Sequence, residues 1–255
     1  MLHRTMTRFH IAVLIAALLG AAAIFANSVS ALVAVVTGLL TAIALGVAIP
    51  RLRFFGPYVC RGNASRRWVA LTFDDGPDSR STPALLDLLR ETGVQATFFA
   101  IGRRVIAESE VATRIVREGH LLESHSHAHQ NTTNFFGVRR LRTELNEAQM
   151  AVRRATGIAP RMFRPPMGLS NPRVFRVARD LGLTVVGWTA RGFDTQSTDP
   201  QRIVQRITRR LQPGAIILLH DGNIPRDRLV ATVKLLLDTL RGLEYEVVRL
   251  DRMLA

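Results

Sequence analysis

Three segments hold the residues best suited to hydrolytic chemistry. The apolar run Trp68-Val69-Ala70-Leu71-Thr72-Phe73 ends in Asp74-Asp75-Gly76-Pro77. Two adjacent carboxylates after a buried strand are costly unless a cation or a shared proton stabilises them. Asp-Gly-Pro is also turn chemistry, and taken alone the segment reads as a turn. The second segment is Glu123-Ser124-His125-Ser126-His127-Ala128-His129, and four of the seven histidines lie between His120 and His129. His125 and His129 share a face whether the segment is helical or extended. A dense histidine cluster at one strand end, with a carboxylate pair at another, points to a divalent metal. Asp75, His125 and His129 as ligands leave one position open for water, the pattern of a catalytic zinc site. The third segment is Ile216-Ile217-Leu218-Leu219-His220-Asp221-Gly222. A histidine in that position is either a satisfied core group or a proton donor.

Positioning these residues requires strands that end close together. From Trp68 onward, apolar strand-like runs alternate with amphipathic stretches. Strands are expected at 68–73, 96–101, from Leu121, at 183–188, 214–219 and 245–250. Helices are expected from Thr82-Pro83 to Gly93, at 105–118, 138–155 and 174–181, from Asp199-Pro200, and at 229–240. This alternation with short loops predicts parallel βαβ units with about seven strands. Pattern alone leaves an open doubly wound sheet and a (β/α) barrel unseparated. In both, chemistry belongs at the carboxyl ends of the strands.

The N-terminal region is of another kind. Between Phe9 and Ile49 there is no Asp, Glu, Lys or Arg. Residues 9–26 and 31–49 each approach the ~20 apolar residues that cross a hydrocarbon core. The break Asn27-Ser28-Val29-Ser30 predicts a two-helix transmembrane hairpin over 1–50, followed by a linker at 51–65 and a catalytic domain at 66–255. A cleaved signal peptide is the alternative, since Arg4 and Arg8 precede an apolar run, but the second apolar run argues against it. The chain carries +14. Only Arg4 and Arg8 lie in the first 50 residues, so the other 205 carry +12, with Lys234 the sole lysine. That charge suits an anionic neighbour such as lipid headgroups or an acidic glycan. No aromatic-basic interleaving supports nucleic acid as a partner. The single cysteine, Cys60, excludes a disulfide framework and a cysteine-rich zinc module.

With these residues in hand, the chain resembles the polysaccharide deacetylase (NodB-homology) family, carbohydrate esterase family 4, over about residues 66–250. Five motifs appear in the family's order: Thr72 to Pro77, His125 to His129, Phe163-Arg164-Pro165-Pro166-Met167-Gly168, Trp188 to Asp194, and Leu218-Leu219-His220. The resemblance implies a distorted, incomplete (β/α)7 barrel. It implies Asp74 as the base that activates the attacking water, and Asp75, His125 and His129 as metal ligands. It further implies Arg164 as the group orienting the base, Asp194 as the partner of the catalytic histidine, and His220 as the acid that protonates the departing amine. The backbone N–H of Met167 stands where the family places an oxyanion donor.

Several positions depart from the family pattern. Met167 replaces the usual Tyr, Arg191 an Asp, and Thr195 a Trp; Ala128 stands where Ser or Thr is common, and His127 is unusual. The expected activity is metal-dependent removal of an N-acetyl or other N-acyl group from an amino sugar of a glycan or glycan precursor. The metal is expected to be Zn2+, with Co2+, Ni2+ or Fe2+ sharing the ligand preference. A deformylase or deacylase of a lipid-linked sugar is the alternative enzyme, and a non-catalytic glycan-binding membrane protein the alternative outside enzymes. Arg4 and Arg8 before the first span and Arg51 and Arg53 after the second predict an integral protein of the bacterial inner membrane, in contact with membrane lipids, whose domain faces the cytoplasm. Many members of the family act outside the cell.

Overall fold

The structure is a computed structural model and describes residues 6–255; Arg4 lies outside the described residues. Two helices open it, α1 (Arg8–Phe25) and α2 (Val29–Ala48). Asn27 turns the chain with φ 51°, and Ser28 caps α2 by accepting from the Ala31 N–H at 3.3 Å. At 1.5 Å per residue the helices are about 27 and 30 Å long, and both are long and apolar enough to cross a membrane. Leu14, Leu18, Ile24, Val33 and Leu40 are exposed on them.

The rest alternates strand and helix: β1 (Trp68–Asp74), α3 (Thr82–Thr92), β2 (Thr97–Ala100), α4 (Gly102–Ala107), α5 (Ser109–Arg117), β3 (Leu121–Ser124), α6 (Val138–Thr156), β4 (Met162–Phe163), α7 (Pro172–Asp180), β5 (Thr184–Val185), β6 (Ala190–Arg191), α8 (Pro200–Thr208), β7 (Ala215–His220), α9 (Arg226–Gly242), β8 (Glu246–Val247) and α10 (Leu250–Leu254). Seven strands run in the order β5-β4-β3-β2-β1-β7-β6, all parallel, with β8 beside the start of β1. This is the incomplete seven-stranded barrel that the resemblance implied, with its open side between β5 and β6.

Alternation along β1 explains the layers. Val69, Leu71 and Phe73 pack outward with Leu85 and Leu89 of α3 and Leu236 of α9, whereas Ala70 packs inward with Phe99, Val186 and Ile216. Thr72 and Asp74 share the inward face with Ala70. Parallel register sets Asp74 opposite both Phe99 and His220.

Residues 55–62, expected as part of a linker, are instead built into the barrel wall. Val59 N–H donates to Val185 O at 2.9 Å, Gly187 N–H to Val59 O at 2.8 Å, and Gly62 N–H to Gly214 O at 2.8 Å. The Thr189 hydroxyl donates to Cys60 O at 2.5 Å. Phe55, Tyr58 and Cys60 are buried. The segment thus fills the open side, and the hairpin is joined to it. Phe9 N–H donates to Phe54 O at 2.9 Å and Arg8 Nη1 to Leu52 O at 2.7 Å. Phe54 lies where a Cβ on Gly46 of α2 would stand, so that close approach needs glycine.

Other boundaries differ from expectation. Helix 105–118 is two helices, broken at Glu108 (φ −118°, ψ 44°). The strand expected at 183–188 pairs only at Thr184 and Val185 before the chain crosses the open side. Thr82, at the expected start of α3, is its first helical residue, and Ser81 occupies the cap position. The Thr82 hydroxyl is used elsewhere, donating to Asp221 Oδ2 at 2.6 Å and accepting from Asp78 N–H at 2.9 Å.

Candidate active site

The seven residues singled out in the sequence meet at the carboxyl end of the barrel. Asp74 closes β1, and Asp75 follows in a left-handed turn with φ 71°. His125 follows β3, Arg164 follows β4, Asp194 lies three residues beyond β6, and His220 ends β7.

Arg164 organises the base of the site. Its side chain is fully buried. Nη1 donates to Asp74 Oδ1 at 2.6 Å and to Thr72 Oγ1 at 2.9 Å, and Nη2 donates to Gly187 O at 2.9 Å. The face of its guanidinium lies over the Phe99 ring, 4.1 Å from the centroid. Asp74 is therefore fixed by one carboxylate oxygen, and Oδ2 remains for chemistry.

The second group is a cluster of three. His125 Nδ1 lies 2.7 Å from the Arg164 carbonyl. A carbonyl only accepts, so Nδ1 carries a proton and Nε2 is the atom left facing the cluster. Nε2 of His125 lies 3.4 Å, and Nε2 of His129 3.3 Å, from Asp75 Oδ1. One ligand atom from each residue falls within 4.8 Å of the other two. Asp75 Oδ1 is buried and has no hydrogen-bond partner. A buried carboxylate oxygen without a partner, set beside two imidazole nitrogens, makes a donor set that fits a divalent ion. Burial pushes the Asp75 carboxyl up, but the imidazoles of His125, His129 and His220 outweigh it and hold it well below the usual carboxylate range. Burial and the neighbouring His125 lower the His129 imidazole.

The third group is His220 with Asp194. His220 Nδ1 lies 3.0 Å from Asp194 Oδ1, and the His220 N–H donates to Asp194 Oδ2 at 2.8 Å. One carboxylate thus holds both ring and backbone. Burial lowers the His220 imidazole, but the Asp194 bond and charge, with Asp74 and Asp75, prevail and raise it to about 9.

Loop contacts set these positions. Glu144 Oε1 accepts from Ala128 N–H at 2.5 Å, and Ser126 Oγ from His129 N–H at 3.1 Å. His127 does not join the cluster; its Nδ1 packs against Gly102. Met167 and Gly168 form a left-handed turn (φ 58° and 70°), and Tyr58 Oη donates to Gly168 O at 3.2 Å. Buried Asp221 holds Thr82, and its oxygens occupy the place a Cβ on Gly76 would need. Burial raises the Asp221 carboxyl to about 7. Sequence reasoning missed Thr72, Glu144, Tyr58 and Asp221. Asp221 alone had a signal, a carboxylate directly after His220.

The comparisons with known proteins bear on the family. The sequence model of the polysaccharide deacetylase family matches residues 61–186. A chitooligosaccharide deacetylase of a Bradyrhizobium species is 36% identical over 188 residues, covering 73% of this chain and 85% of that protein. The chain belongs to the polysaccharide deacetylase family. It is accordingly a hydrolase of carbon–nitrogen bonds other than peptide bonds. A peptidoglycan-N-acetylglucosamine deacetylase of Bacillus cereus is 32% identical over 188 residues, 73% of this chain and 87% of that protein. Among solved structures, a mutant of BA3943, a CE4-family pseudoenzyme of Bacillus anthracis, has restored enzymatic activity. It superposes with a TM-score of 0.73 at 28% identity, covering 80% of this chain and 74% of that one. The family match ends at residue 186, so Asp194 and His220 rest on their position and contacts.

Proposed function

We propose that this deacetylase-family chain is a membrane-anchored, metal-dependent enzyme that removes the N-acetyl group from an amino sugar of a glycan or glycan precursor. The observation that carries the reading is the meeting of a fixed carboxylate, a three-residue metal cluster and a charged histidine at one barrel mouth. A pseudoenzyme among the structural relatives means that this fold alone does not confer activity; here every chemical role has its residue. Asp75, His125 and His129 would hold the ion, with zinc favoured by the two-imidazole, one-carboxylate set. When bound, it supplies Lewis-acid polarisation of the acetamide carbonyl and of the attacking water.

The chain's own groups do the rest. Asp74 takes the proton of the attacking water at Oδ2, while Arg164 fixes Oδ1. The Met167 N–H on its left-handed turn donates to the oxygen that gains charge as the carbonyl carbon becomes tetrahedral. His220, positively charged at neutral pH, gives its Nε2 proton to the sugar nitrogen as the C–N bond breaks, and Asp194 steadies the ring through Nδ1. Acetate and a free amine result. The test is acetate release from N-acetylated oligosaccharides by the full chain in detergent. The Asp74→Asn variant should fall by ~10²–10⁴-fold, the usual worth of a general base. Near-normal turnover in that variant would remove Asp74 from the chemistry.

The docked hairpin favours a second reading of the substrate, a lipid-linked amino sugar bearing an acetyl or formyl group. Arg8, Arg51 and Arg53 sit at the same end of the hairpin, where Arg8 reaches Leu52 O and Arg51 reaches Thr189 O. By the positive-inside rule, basic flanks at one end favour the cytoplasmic face of the bacterial inner membrane for that end and for the domain with it. A phosphatase reporter fused after Ala255 should be inactive. An active periplasmic reporter would reverse the topology and favour cell-wall glycan.

A further inference from the structure

Arg191 stands where the family motif has an aspartate, and nothing in the mechanism uses it. It is the last residue of β6, three residues before Asp194, which holds His220. Its guanidinium lies over the Phe193 ring, 4.0 Å from the centroid, and 5.6 Å from the Trp188 ring. Trp188 in turn fills the space beside Gly168, on the turn that carries Met167. Arg206 of α8 approaches the same Phe193 ring at 5.8 Å and donates to Gly192 O at 3.3 Å. Among the described residues, no acceptor or carboxylate meets the Arg191 guanidinium. Partial burial alone shifts its pKa downward, with no acid to offset that effect. Phe193 is 36% exposed. A stacked guanidinium keeps its in-plane N–H groups directed outward, the fork that pairs with a phosphate or carboxylate.

We infer that Arg191, backed by Arg206, binds an anionic group carried by the substrate close to the N-acylated sugar. This rests on the deacetylase reading and narrows its substrate class. The wanted group is an oxyanion, either a phosphate ester or a sugar carboxylate. An aspartate at this position would repel both, so the exchange to arginine reverses the preference of the rim.

The test uses the full chain in detergent with three matched probes: an N-acetylglucosamine oligomer, the same oligomer bearing a phosphate monoester, and the same oligomer bearing a carboxylate. A charge-assisted bond supports a ~10–100-fold gain in kcat/KM for one anionic probe over the neutral one. Which anionic probe gains names the oxyanion. In R191Q the anionic-to-neutral ratio should fall to about twofold, and in R191D below one. R206Q should reduce the ratio partially. Calorimetric binding of the same probes gives a readout independent of turnover. Binding preference that vanishes in R191Q without any acetate release would retain the anion site and reject the deacetylase reading. Equal wild-type kcat/KM and binding for neutral and anionic probes, or a preference that survives R191Q, would overturn the inference.

Discussion

Replacing Arg164 with methionine removes the cation that pairs with the buried Asp74 carboxylate. The guanidinium makes three hydrogen bonds, to Asp74, Thr72 and Gly187, at 2.6 to 2.9 Å and with no exposure to water. Breaking a buried pair from one side costs ~3–5 kcal/mol, because the remaining charge is stranded. Loss of the bonds to Thr72 and Gly187 falls within that range, since both acceptors stay buried. The Phe99 face, packed at 4.1 Å, keeps an apolar neighbour in methionine. The double variant Arg164→Met/Asp74→Asn removes the stranded charge, and its cost should drop to ~1–2 kcal/mol. Urea unfolding of the full chain in detergent, followed by the fluorescence of Trp68 and Trp188, measures both. Activity should vanish in both. A single-variant cost below ~1 kcal/mol, or a double variant no more stable than the single, would refute the idea that Arg164 and Asp74 stabilise each other as a buried pair.

Three further outcomes are expected. Chelation should abolish turnover and zinc or cobalt restore it; His125→Ala should lose the metal by elemental analysis, whereas Asp74→Asn should retain it. His220 acts in its protonated form and its pKa is raised to about 9, so kcat should fall as pH rises through about 9. Asp194→Asn, by removing the charge that offsets burial, should move that fall toward or below neutral pH, and an unmoved profile would remove His220 as the acid. Tyr58→Phe deletes the hydroxyl that holds Gly168 O and should cost ~0.5–1.5 kcal/mol, read as up to about a tenfold lower kcat with little change in KM.

Much of this site was legible because its residue types are rare in apolar surroundings. Asp74 and Asp75 after six strand residues, and His125 to His129 after Leu121-Leu122, cannot be ordinary core, and their strand-end positions implied a shared mouth. Pairings between distant residues were not legible from pattern. Arg164 meets Asp74 across 90 positions and Asp194 meets His220 across 26; only the family resemblance suggested either. Fold class followed from the helix–strand alternation, but β4, β5 and β6 have two residues each. Strands that short have no period to detect. Residues 55–62 were misread for a related reason. Pro57, Gly62 and Asn63 carry loop chemistry, yet the segment's backbone pairs with Val185, Gly187 and Gly214. Single bridges across a barrel gap leave no alternation in the side chains.

That segment alters what the anchor means for the enzyme. A flexible tether would let the barrel tumble at the membrane surface. Here Arg53 Nε donates to Tyr58 O at 3.1 Å, and Arg51 reaches Thr189 O. Tyr58 reaches Gly168 O beside the Met167 turn, and Phe55 and Tyr58 pack with Phe175 of α7. Burial, with Cys60 beside it, holds the Tyr58 phenol well above its usual range against the partial offset of Arg164, so it remains a neutral donor throughout the physiological range. The chain leaving the membrane-length hairpin is therefore the strand-like wall that closes the barrel, and the same residues support the turn proposed to stabilise the oxyanion. On the proposed anchoring, the hairpin and the catalytic turn share one set of contacts. If the hairpin anchors the chain as proposed, the site would meet substrate at a set height above the lipid surface, the geometry on which the proposed carrier-linked substrate rests.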